Sequence, residues 1–482
     1  FPCVDFLGTT VKPGQIVEDL NRVFCKRDGK SILIRKDSLK TAGYEENFPI
    51  DDFMTSSFGL KRLCAAVSET RDGANDDTSR AAAFAVALKE AEPESYERAE
   101  RYLFPTEEVV FNSTLAYGSN ISATALERYF NCPYAGFVDN KLKLKRPEMG
   151  DAESYEVGSL LHSVLENFAP IALSIVEEDV SGVVDELFNK EMKKNGMDRF
   201  LNKARYVHIF TLVREEAQKR CRALRDELLG GDFVVSGTEV VFSDEKGSKY
   251  PPLELTTPYG LSFMRGKIDR VDEIEDETDG PKQRYVRIVD YKTGSVDRKD
   301  SEENLYSGRS IQLYLYMNVL TETGAKPAGV YYYKIDDSFS QKGEDGSGYI
   351  GKTINNLKVM KHMDKSVAET GESKTFFFKT TINKVTGEII VKSSRNVVSE
   401  STLSSYVSYA KKVAESGVGE ILRGCIIPSP YDGACESCKY KGMCGYDAET
   451  GTRTRKVSAD AETIESCGGK IKVTSEETKN DE

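Results

Sequence analysis

The feature that most constrains this chain is a strand-like run that ends in an acid and a lysine. Residues 285–292 read YVRIVDYK, and a Thr-Gly pair then closes the run. Because side chains in a strand alternate between two faces, Asp290 and Lys292 lie on the same face. A carboxylate that can hold a divalent metal, next to an ammonium that can orient water, could attack a phosphodiester. Alone, this D-x-K pattern is better explained by a surface ion pair at the end of a strand.

Three further motifs stand around this pair in a fixed order. Upstream, residues 261–272 form a second strand pattern that contains Asp269, a candidate second metal carboxylate. Further upstream, a helix pattern carries His162, and a downstream helix pattern places Gln312 four residues before Tyr316. Each motif alone has a simple structural explanation. The ordered series G-x-x-x-H, G-x-I-D, D-x-K and Q-x-x-x-Y rarely arises by chance, so it indicates one shared site.

Four cysteines from distant parts of the chain form a candidate metal site. Cys132 precedes a proline at a predicted helix end, and Cys435, Cys438 and Cys444 form a C-x2-C-x5-C array among glycines and prolines. Four thiolates suit zinc or an iron–sulfur cluster, and the spacing alone leaves both open. We expect no export signal, which disfavours disulfides. Such a site would join the two ends of the region that carries the motifs.

The motif series resembles that of RecB-family nucleases within the PD-(D/E)XK fold. With the motif L-E-x-Y-x-x-C-P-Y at residues 126–134 and the three late cysteines, it is similar to the nuclease region of the AddB family, the B subunits of bacterial helicase-nucleases. The resemblance covers roughly residues 119–446. It implies an α/β fold with a restriction-endonuclease-like core, in which helices flank a central mixed sheet, with helical insertions. It also implies that the four cysteines hold a 4Fe-4S cluster that staples the fold.

The active-site residues follow from the motifs and from this resemblance. We expect Asp269, Asp290, His162 and the backbone carbonyl of Tyr291 to hold Mg²⁺ or Mn²⁺. Lys292 would position the attacking water and help to neutralise the developing charge.

Further residues are expected around this centre. Gln312 and Tyr316 would brace the active-site strand or hold the DNA backbone. Arg309, Lys141 and Lys143 are candidate contacts to DNA phosphates.

The expected function is that of a metal-dependent deoxyribonuclease subunit of a helicase-nuclease complex. The resemblance implies that it degrades single-stranded DNA ends during recombinational repair of double-strand breaks. The implied partners are single-stranded or unwound DNA and an AddA-like subunit, as a heterodimer. Two alternatives stay open: a free-standing or CRISPR-associated iron–sulfur exonuclease, and a non-catalytic DNA-binding clamp.

Composition and length set further bounds. The chain has 482 residues and a net charge of −12, so any contact with DNA must come from local basic surface. It contains no long apolar run, so we expect no membrane anchor and a cytoplasmic location. It begins at Phe1 rather than Met, so we expect a piece of a longer protein or a processed product. We expect residues 1–115 to be mostly helical, as the end of a helicase-like domain, 116–446 to form the nuclease domain, and 447–482 to be a disordered tail.

Two features have competing interpretations. Residues 346–353 match the phosphate-loop pattern G-x-x-x-x-G-K-T, but a polar stretch precedes them where that loop requires a buried strand. We therefore do not expect nucleotide binding there. Glu239 lies in a predicted strand, and is either a further active-site acid or an ordinary edge-strand carboxylate.

Overall fold

The structure is a computed structural model that describes most of the chain after residue 119. The described residues are 120–144, 154–277, 281–292, 299–335, 349–444 without 376 and 393, 446 and 454–467, together with 116–118, 92–103 and scattered positions between 63 and 90. The chain separates into two compact units, residues 1–107 and 108–482. In the first unit, helix α1 spans Pro93–Leu103. The predicted helical character of residues 1–115 otherwise lies largely outside the described residues.

Helices and strands mix along the second unit. Its described strands are β1 (Asn120–Ile121), β2 (Val234–Phe242), β3 (Leu253–Thr257), β4 (Gly260–Met264), β5 (Gly266–Asp276), β6 (Gln283–Lys292), β7 (Lys326–Lys334), β8 (Tyr349–Ile354), β9 (Thr380–Ile382), β10 (Ile389–Val391) and β11 (Val397–Val398). Its described α-helices are α2 (Ala123–Asn131), α3 (Pro133–Phe137), α4 (Ser154–Phe168), α5 (Val180–Lys194), α6 (Ala204–Gly230), α7 (Glu302–Tyr306), α8 (Gln312–Thr321), α9 (Leu357–Met363), α10 (Lys365–Thr370), α11 (Glu400–Arg423), α12 (Lys441–Cys444) and α13 (Ala461–Ser466).

A six-stranded mixed sheet lies at the centre of this unit, in the order β11-β8-β7-β6-β5-β2. Strand β6 runs parallel to β7 and antiparallel to β5. The nearly continuous apolar run of β6 is typical of a strand covered on both faces, and Val286, Ile288 and Val289 are buried. The predicted central mixed sheet is therefore confirmed.

Helix α8 passes through the core beside this sheet. Every residue from Gln312 to Leu320 is buried, and the helix packs against β6, β7 and α11. A helix that is enclosed on all sides can hold polar side chains only where they find partners. Its two predicted functional side chains, Gln312 and Tyr316, therefore lie inside the protein.

Helix α2 leads directly into the first candidate thiol. The hydroxyl of Ser122, at the N-cap, accepts a hydrogen bond from the backbone N–H of Ala125 at 3.2 Å. The helix ends at Asn131, and Cys132 adopts an extended backbone with a φ of −161°. Since the α conformation is disfavoured before a proline, Pro133 explains why the helix stops there.

The C-terminal segment differs from the predicted disordered tail over residues 447–482. Residues 454–467 are ordered, because Arg455 forms a β-bridge with Tyr431 and helix α13 packs against α11 with Ile464 buried. The tail is polar and charged on average, so its composition does not indicate the burial of Ile464. Residues 447–453 and 468–482 lie outside the described residues.

The phosphate-loop pattern ends within a strand. The last part of residues 346–353 belongs to β8, where Lys352 is buried and its ammonium donates to the Glu302 carboxylate at 2.6 Å. A phosphate loop must instead open a helix and keep its lysine free for the nucleotide. This geometry agrees with the expectation that no nucleotide binds there. Among the described helices, none is long and apolar enough to cross a membrane.

Candidate active site

The two candidate acids lie where strands β5 and β6 separate. The backbone pairing of these strands runs as far as Arg270 and Val289, and it stops at the next position, which Asp269 and Asp290 occupy. There the Asp269 carboxylate accepts a hydrogen bond from the backbone N–H of Tyr291 at 2.9 Å. The Tyr291 N–H is thus bound by a side chain. The two carboxylates lie next to each other because Asp269 and Asp290 occupy neighbouring strands.

Lys292 and Gln312 surround Asp290. The Lys292 Nζ atom lies 2.7 Å from Asp290 Oδ2, and Gln312 Nε2 donates to Asp290 Oδ1 at 2.9 Å. Gln312 Nε2 also donates to the Tyr316 hydroxyl at 3.1 Å, while Gln312 Oε1 accepts from Lys292 Nζ at 3.4 Å. Gln312 and Tyr316 are only 7% and 6% exposed. Of their two predicted roles, this burial favours bracing the active-site strand over holding DNA.

His162 and Glu239 approach Asp269 from two other elements. One ligand atom from each of these three residues lies within 4.8 Å of the other two. His162, on helix α4, places its Nε2 atom 3.3 Å from Asp269 Oδ2. The ambiguous Glu239 therefore lies with the active-site acids.

Glu239 also has an uncommon backbone conformation. Its φ is 50°, in the left-handed region that non-glycine residues rarely adopt. Its two neighbours in β2 pair with the two neighbours of Asp269 in β5, which sets Glu239 opposite Asp269. The Glu239 carboxylate forms an ion pair with Lys267. Such conformations cost on the order of 1–3 kcal/mol and are concentrated at functional sites.

Burial controls the protonation of this site. It raises the pKa of Asp269 to about 6, and burial together with the charge of Asp269 raises the pKa of Asp290 to about 6. Burial alone would lower the pKa of Lys292, but the Asp290 carboxylate raises it above its ordinary value. Burial lowers the pKa of His162, which keeps the imidazole neutral and able to bind a metal.

The donor set fits a divalent metal. Two buried carboxylates on adjacent strands are costly to ionise, and a cation between them would reduce that cost. The carboxylate oxygens of Asp269 and Glu239 and a nitrogen of His162 form one close group of ligands that Mg²⁺ or Mn²⁺ accepts, and Asp290 lies beside Asp269 on the neighbouring strand. The carbonyl of Tyr291, between Asp290 and Lys292 in β6, stays a predicted ligand.

The four candidate thiols line one cavity. Cys132 follows helix α2, and Cys435, Cys438 and Cys444 come from the segment after α11. Burial raises the pKa of the Cys435 thiol, and the other three thiols raise it further through their charges. The structure thus brings together thiols that are separated by about three hundred positions in the sequence.

Comparison with protein families decides the fold. Residues 120–445 match the model described as the PD-(D/E)XK nuclease superfamily. The chain belongs to this superfamily. The matched residues contain all four active-site motifs and the four candidate thiols, and the predicted fold class is confirmed.

Similar superfamily proteins are named as the B subunits of ATP-dependent helicase/deoxyribonucleases. The protein from Alkaliphilus metalliredigens is 26% identical over 68% of this chain and 30% of its own length. Those from Ruminiclostridium cellulolyticum and Caldanaerobacter subterraneus are each 24% identical, over 93% and 96% of this chain and 40% and 41% of their own lengths. The predicted resemblance to B subunits is confirmed. The chain spans less than half the length of these relatives.

The predicted DNA contacts have different surroundings. The Arg309 guanidinium lies 4.5 Å from the centre of the Tyr431 ring, and Arg309 Nε donates to Ser307 at 2.9 Å. Lys141 and Lys143 are exposed, and Lys141 donates to a backbone carbonyl at 2.9 Å. Arg309 is therefore half-buried against Tyr431, while the two lysines are exposed, and binding of DNA by all three stays a prediction.

The sequence interpretation assigned Glu127 no role at the active site. Its carboxylate accepts hydrogen bonds from the backbone N–H groups of Ile311 and Gln312, each at 2.8 Å. The available signal was its position in the L-E-x-Y-x-x-C-P-Y motif, five residues before Cys132. That motif indicated a thiol site, and nothing in it indicates a contact with a distant helix.

Proposed function

We propose that this chain is the nuclease part of the B subunit of a helicase/deoxyribonuclease, and that it hydrolyses single-stranded DNA with a divalent metal. The main support is the meeting of Asp269, Asp290 and Lys292 where β5 and β6 separate. A non-catalytic DNA clamp would be expected to lose at least one of these three groups. The names of the relatives support action on DNA within a helicase-nuclease complex.

Asp269, Asp290, His162 and Glu239 would hold Mg²⁺ or Mn²⁺, together with the Tyr291 carbonyl. When bound, the metal supplies positive charge to the scissile phosphate and acidifies a coordinated water. Holding these ligands in place before the metal arrives is the contribution of the sheet, since β2, β5 and β6 carry four of the five.

Lys292 would align the attacking water and offset the charge that develops on the phosphate. Because the raised pKa of Lys292 keeps it protonated at neutral pH, it acts as a hydrogen-bond donor and a positive charge. Gln312 fixes the ammonium by accepting from it, while also donating to Asp290. The burial of Gln312 and Tyr316 holds this arrangement rigid.

The four thiolates would hold a 4Fe-4S cluster, as the family resemblance implies. A helicase partner would supply unwound single strands, and the pair would act in double-strand break repair in the cytoplasm. A free-standing nuclease of the same fold would instead reach full activity without a partner.

Lys292→Ala tests the catalytic assignment. With Mg²⁺ and end-labelled single-stranded DNA, we expect the variant to lose about 10²- to 10⁴-fold in rate. Lys326→Ala is the matched control, because Lys326 lies exposed at the far end of the neighbouring strand β7. Equal rates for wild type and Lys292→Ala would show that the catalytic assignment is wrong.

The cluster is tested by anaerobic purification, a visible absorption spectrum, and measurement of iron and zinc. We expect a brown protein that contains iron and sulfide. A colourless protein that contains zinc would overturn the cluster assignment, and would leave the nuclease assignment to the Lys292 experiment.

A further inference from the structure

We propose that Glu127 couples the four-thiolate site to the nuclease site by holding the start of helix α8. In this role Glu127 is a positioning residue, which touches neither DNA nor metal. The inference rests on the proposed function, since it names how one site of that nuclease controls the other.

The first link is the start of α8. The first N–H groups of a helix have no partners within the helix, and a carboxylate at this end is electrostatically favourable. Ile311, at the cap position, supplies no side-chain acceptor, and Glu127 accepts the N–H groups of both Ile311 and Gln312 at 2.8 Å. The cap of α8 thus comes from a residue 185 positions away in the sequence.

The second link runs from the start of α8 to the reacting groups. Gln312 is the first residue of α8, and its amide contacts Asp290 at 2.9 Å and Lys292 at 3.4 Å. A helix whose first turn is loosened would move this amide. The Asp290 carboxylate and the Lys292 ammonium would then no longer be held at a fixed distance by Gln312.

The third link runs from Glu127 to the thiols. Glu127 and Cys132 are five residues apart, and helix α2 carries Glu127 and ends immediately before Cys132. This separation is about 7 Å along a rigid helix. A displacement of Cys132 would therefore be transmitted to Glu127 with little loss.

A second contact comes from the other thiol-bearing segment. Tyr431 lies four residues before Cys435, and its backbone N–H donates to the carbonyl of Asn131 at 3.2 Å. Its hydroxyl donates to the carbonyl of Ser307 at 3.3 Å, and its ring lies under Arg309. Both thiol-bearing segments therefore contact the loop before α8, which spans residues 307–311.

The fit of this loop against α2 is close. Gly308 has a φ of 77°, and a Cβ atom added there would lie 2.5 Å from the Phe130 ring. Phe130 is two residues before Cys132 in the same helix end. A group that binds all four thiols holds α2 and the Tyr431 segment together on this loop, and its loss lets them separate.

Hydrogen–deuterium exchange of the wild-type protein tests the coupling without an activity measurement. We expect removal of the cluster to speed exchange of the amides in residues 307–316 by about tenfold or more, since their opening becomes easier. The buried face of helix α6, which carries none of the four motifs, provides an internal control. Unchanged exchange in residues 307–316 after complete loss of the cluster would overturn the proposal.

Glu127 variants test the residue itself. With the visible spectrum retained, we expect Glu127→Ala to lower kcat about tenfold or more, to weaken Mn²⁺ binding in calorimetry, and to change the KM for DNA little. Glu127→Gln keeps an acceptor oxygen and should lie between Glu127→Ala and wild type. The matched control is Glu420→Gln, because Glu420 accepts from the Tyr129 hydroxyl of the same helix at 3.1 Å.

The outcomes separate this proposal from the proposed function. Wild-type kcat and Mn²⁺ affinity in Glu127→Ala would overturn it, as would an equal loss in Glu420→Gln. If Glu127→Ala does not fold, Glu127→Gln decides by the same measurements. A wild-type protein that cuts no DNA would count against the nuclease, while amide exchange and Mn²⁺ affinity would still report on Glu127.

Discussion

At the scale of single residues, Glu239 combines a strained backbone with a place among the candidate metal ligands. Its φ of 50° favours glycine, whereas its carboxylate lies near His162 and Asp269. If this strained conformation serves metal binding, replacing Glu239 by glycine should raise the stability of the metal-free protein and lower its affinity for metal.

We expect Glu239→Gly to stabilise the metal-free protein by about 1 kcal/mol while weakening Mn²⁺ binding at least about tenfold. Thermal melts without metal and calorimetry with Mn²⁺ measure the two effects. Glu254→Gly is the control, since Glu254 lies exposed in strand β3 and should only lose stability. Wild-type Mn²⁺ affinity in Glu239→Gly would exclude Glu239 as a ligand.

The pKa values of Asp269 and Asp290 predict an unusual dependence of stability on pH. Both are raised from 3.8 to about 6, mainly by burial, so their contribution to the stability of the metal-free protein should be fully present below about 4 and lost as the pH rises through 6. Metal binds the ionised carboxylates and should restore stability only above that pH. We expect Mg²⁺ to raise Tm strongly at pH 7.5 and little at pH 5.

Asp269→Asn with Asp290→Asn is the matched test of that pH dependence. The double variant should show the same Tm with and without Mg²⁺ at both pH values. A Mg²⁺ effect that is equal at pH 5 and pH 7.5 in the wild type would contradict the assignment of these two acids.

At the scale of elements, strands β5 and β6 are joined by a buried ion network. Asp272 of β5 lies 2.6 Å from Arg270 and 2.8 Å from Arg287 of β6, and all three are fully or almost fully buried. Burial alone would raise the pKa of Asp272, but the two arginines lower it. The network therefore stabilises the protein at neutral pH, and this contribution is lost as the pH falls.

We expect Asp272→Asn to lower the free energy of unfolding by about 3–5 kcal/mol, because two buried guanidinium groups lose a charged partner. Urea denaturation measures the change. Glu275→Gln, in the same strand but in an exposed ion pair with Lys282, should have little effect. Equal midpoints for the two variants would show that the network contributes no more than a surface pair.

The elements that the sequence predicted correctly are those with a local pattern. Helix α6 buries one apolar stripe spaced three and four residues apart, as its sequence indicates. The sequence of residues 375–394, with a Thr-Gly pair near its middle, predicts a hairpin, and β9 and β10 form one with Gly387 in the turn at a φ of 73°. Periodicity and turn residues are sufficient for such elements because neighbours in sequence decide them.

The features that the sequence did not predict depend on distant contacts. The Glu127 contact joins residues 185 positions apart, and no local pattern indicates it. The backbone of Glu239 is set by its place opposite Asp269 in the next strand. Ile464 is buried because helix α13 packs against the distant helices α7 and α11, and the composition of the tail alone indicated disorder.

At the scale of the whole molecule, the four thiols come from the two ends of the nuclease unit and line one cavity. Around them, the Asp139 carboxylate lies 2.7 Å from both Arg128 and Lys439, which come from opposite ends of the unit of residues 108–482. These partly exposed ion pairs are individually weak, so the proposed cluster should supply most of the stability of this contact.

Cys435→Ser should therefore lower the iron content and the Tm of the whole unit of residues 108–482, because free energy of metal binding at such sites is free energy of folding. Differential scanning calorimetry and iron analysis measure both quantities on the same sample. Cys467→Ser is the matched control, because the Cys467 thiol lies outside the cavity that the four thiols line. If the two ends were held by their ion pairs alone, Cys435→Ser would lose iron and keep the wild-type Tm. A fall in Tm that occurs in Cys435→Ser and not in Cys467→Ser would instead mean that the proposed cluster stabilises both the sheet and the start of α8. Glu127 and Tyr431 provide the connection, because they contact the start of α8 and the loop before it.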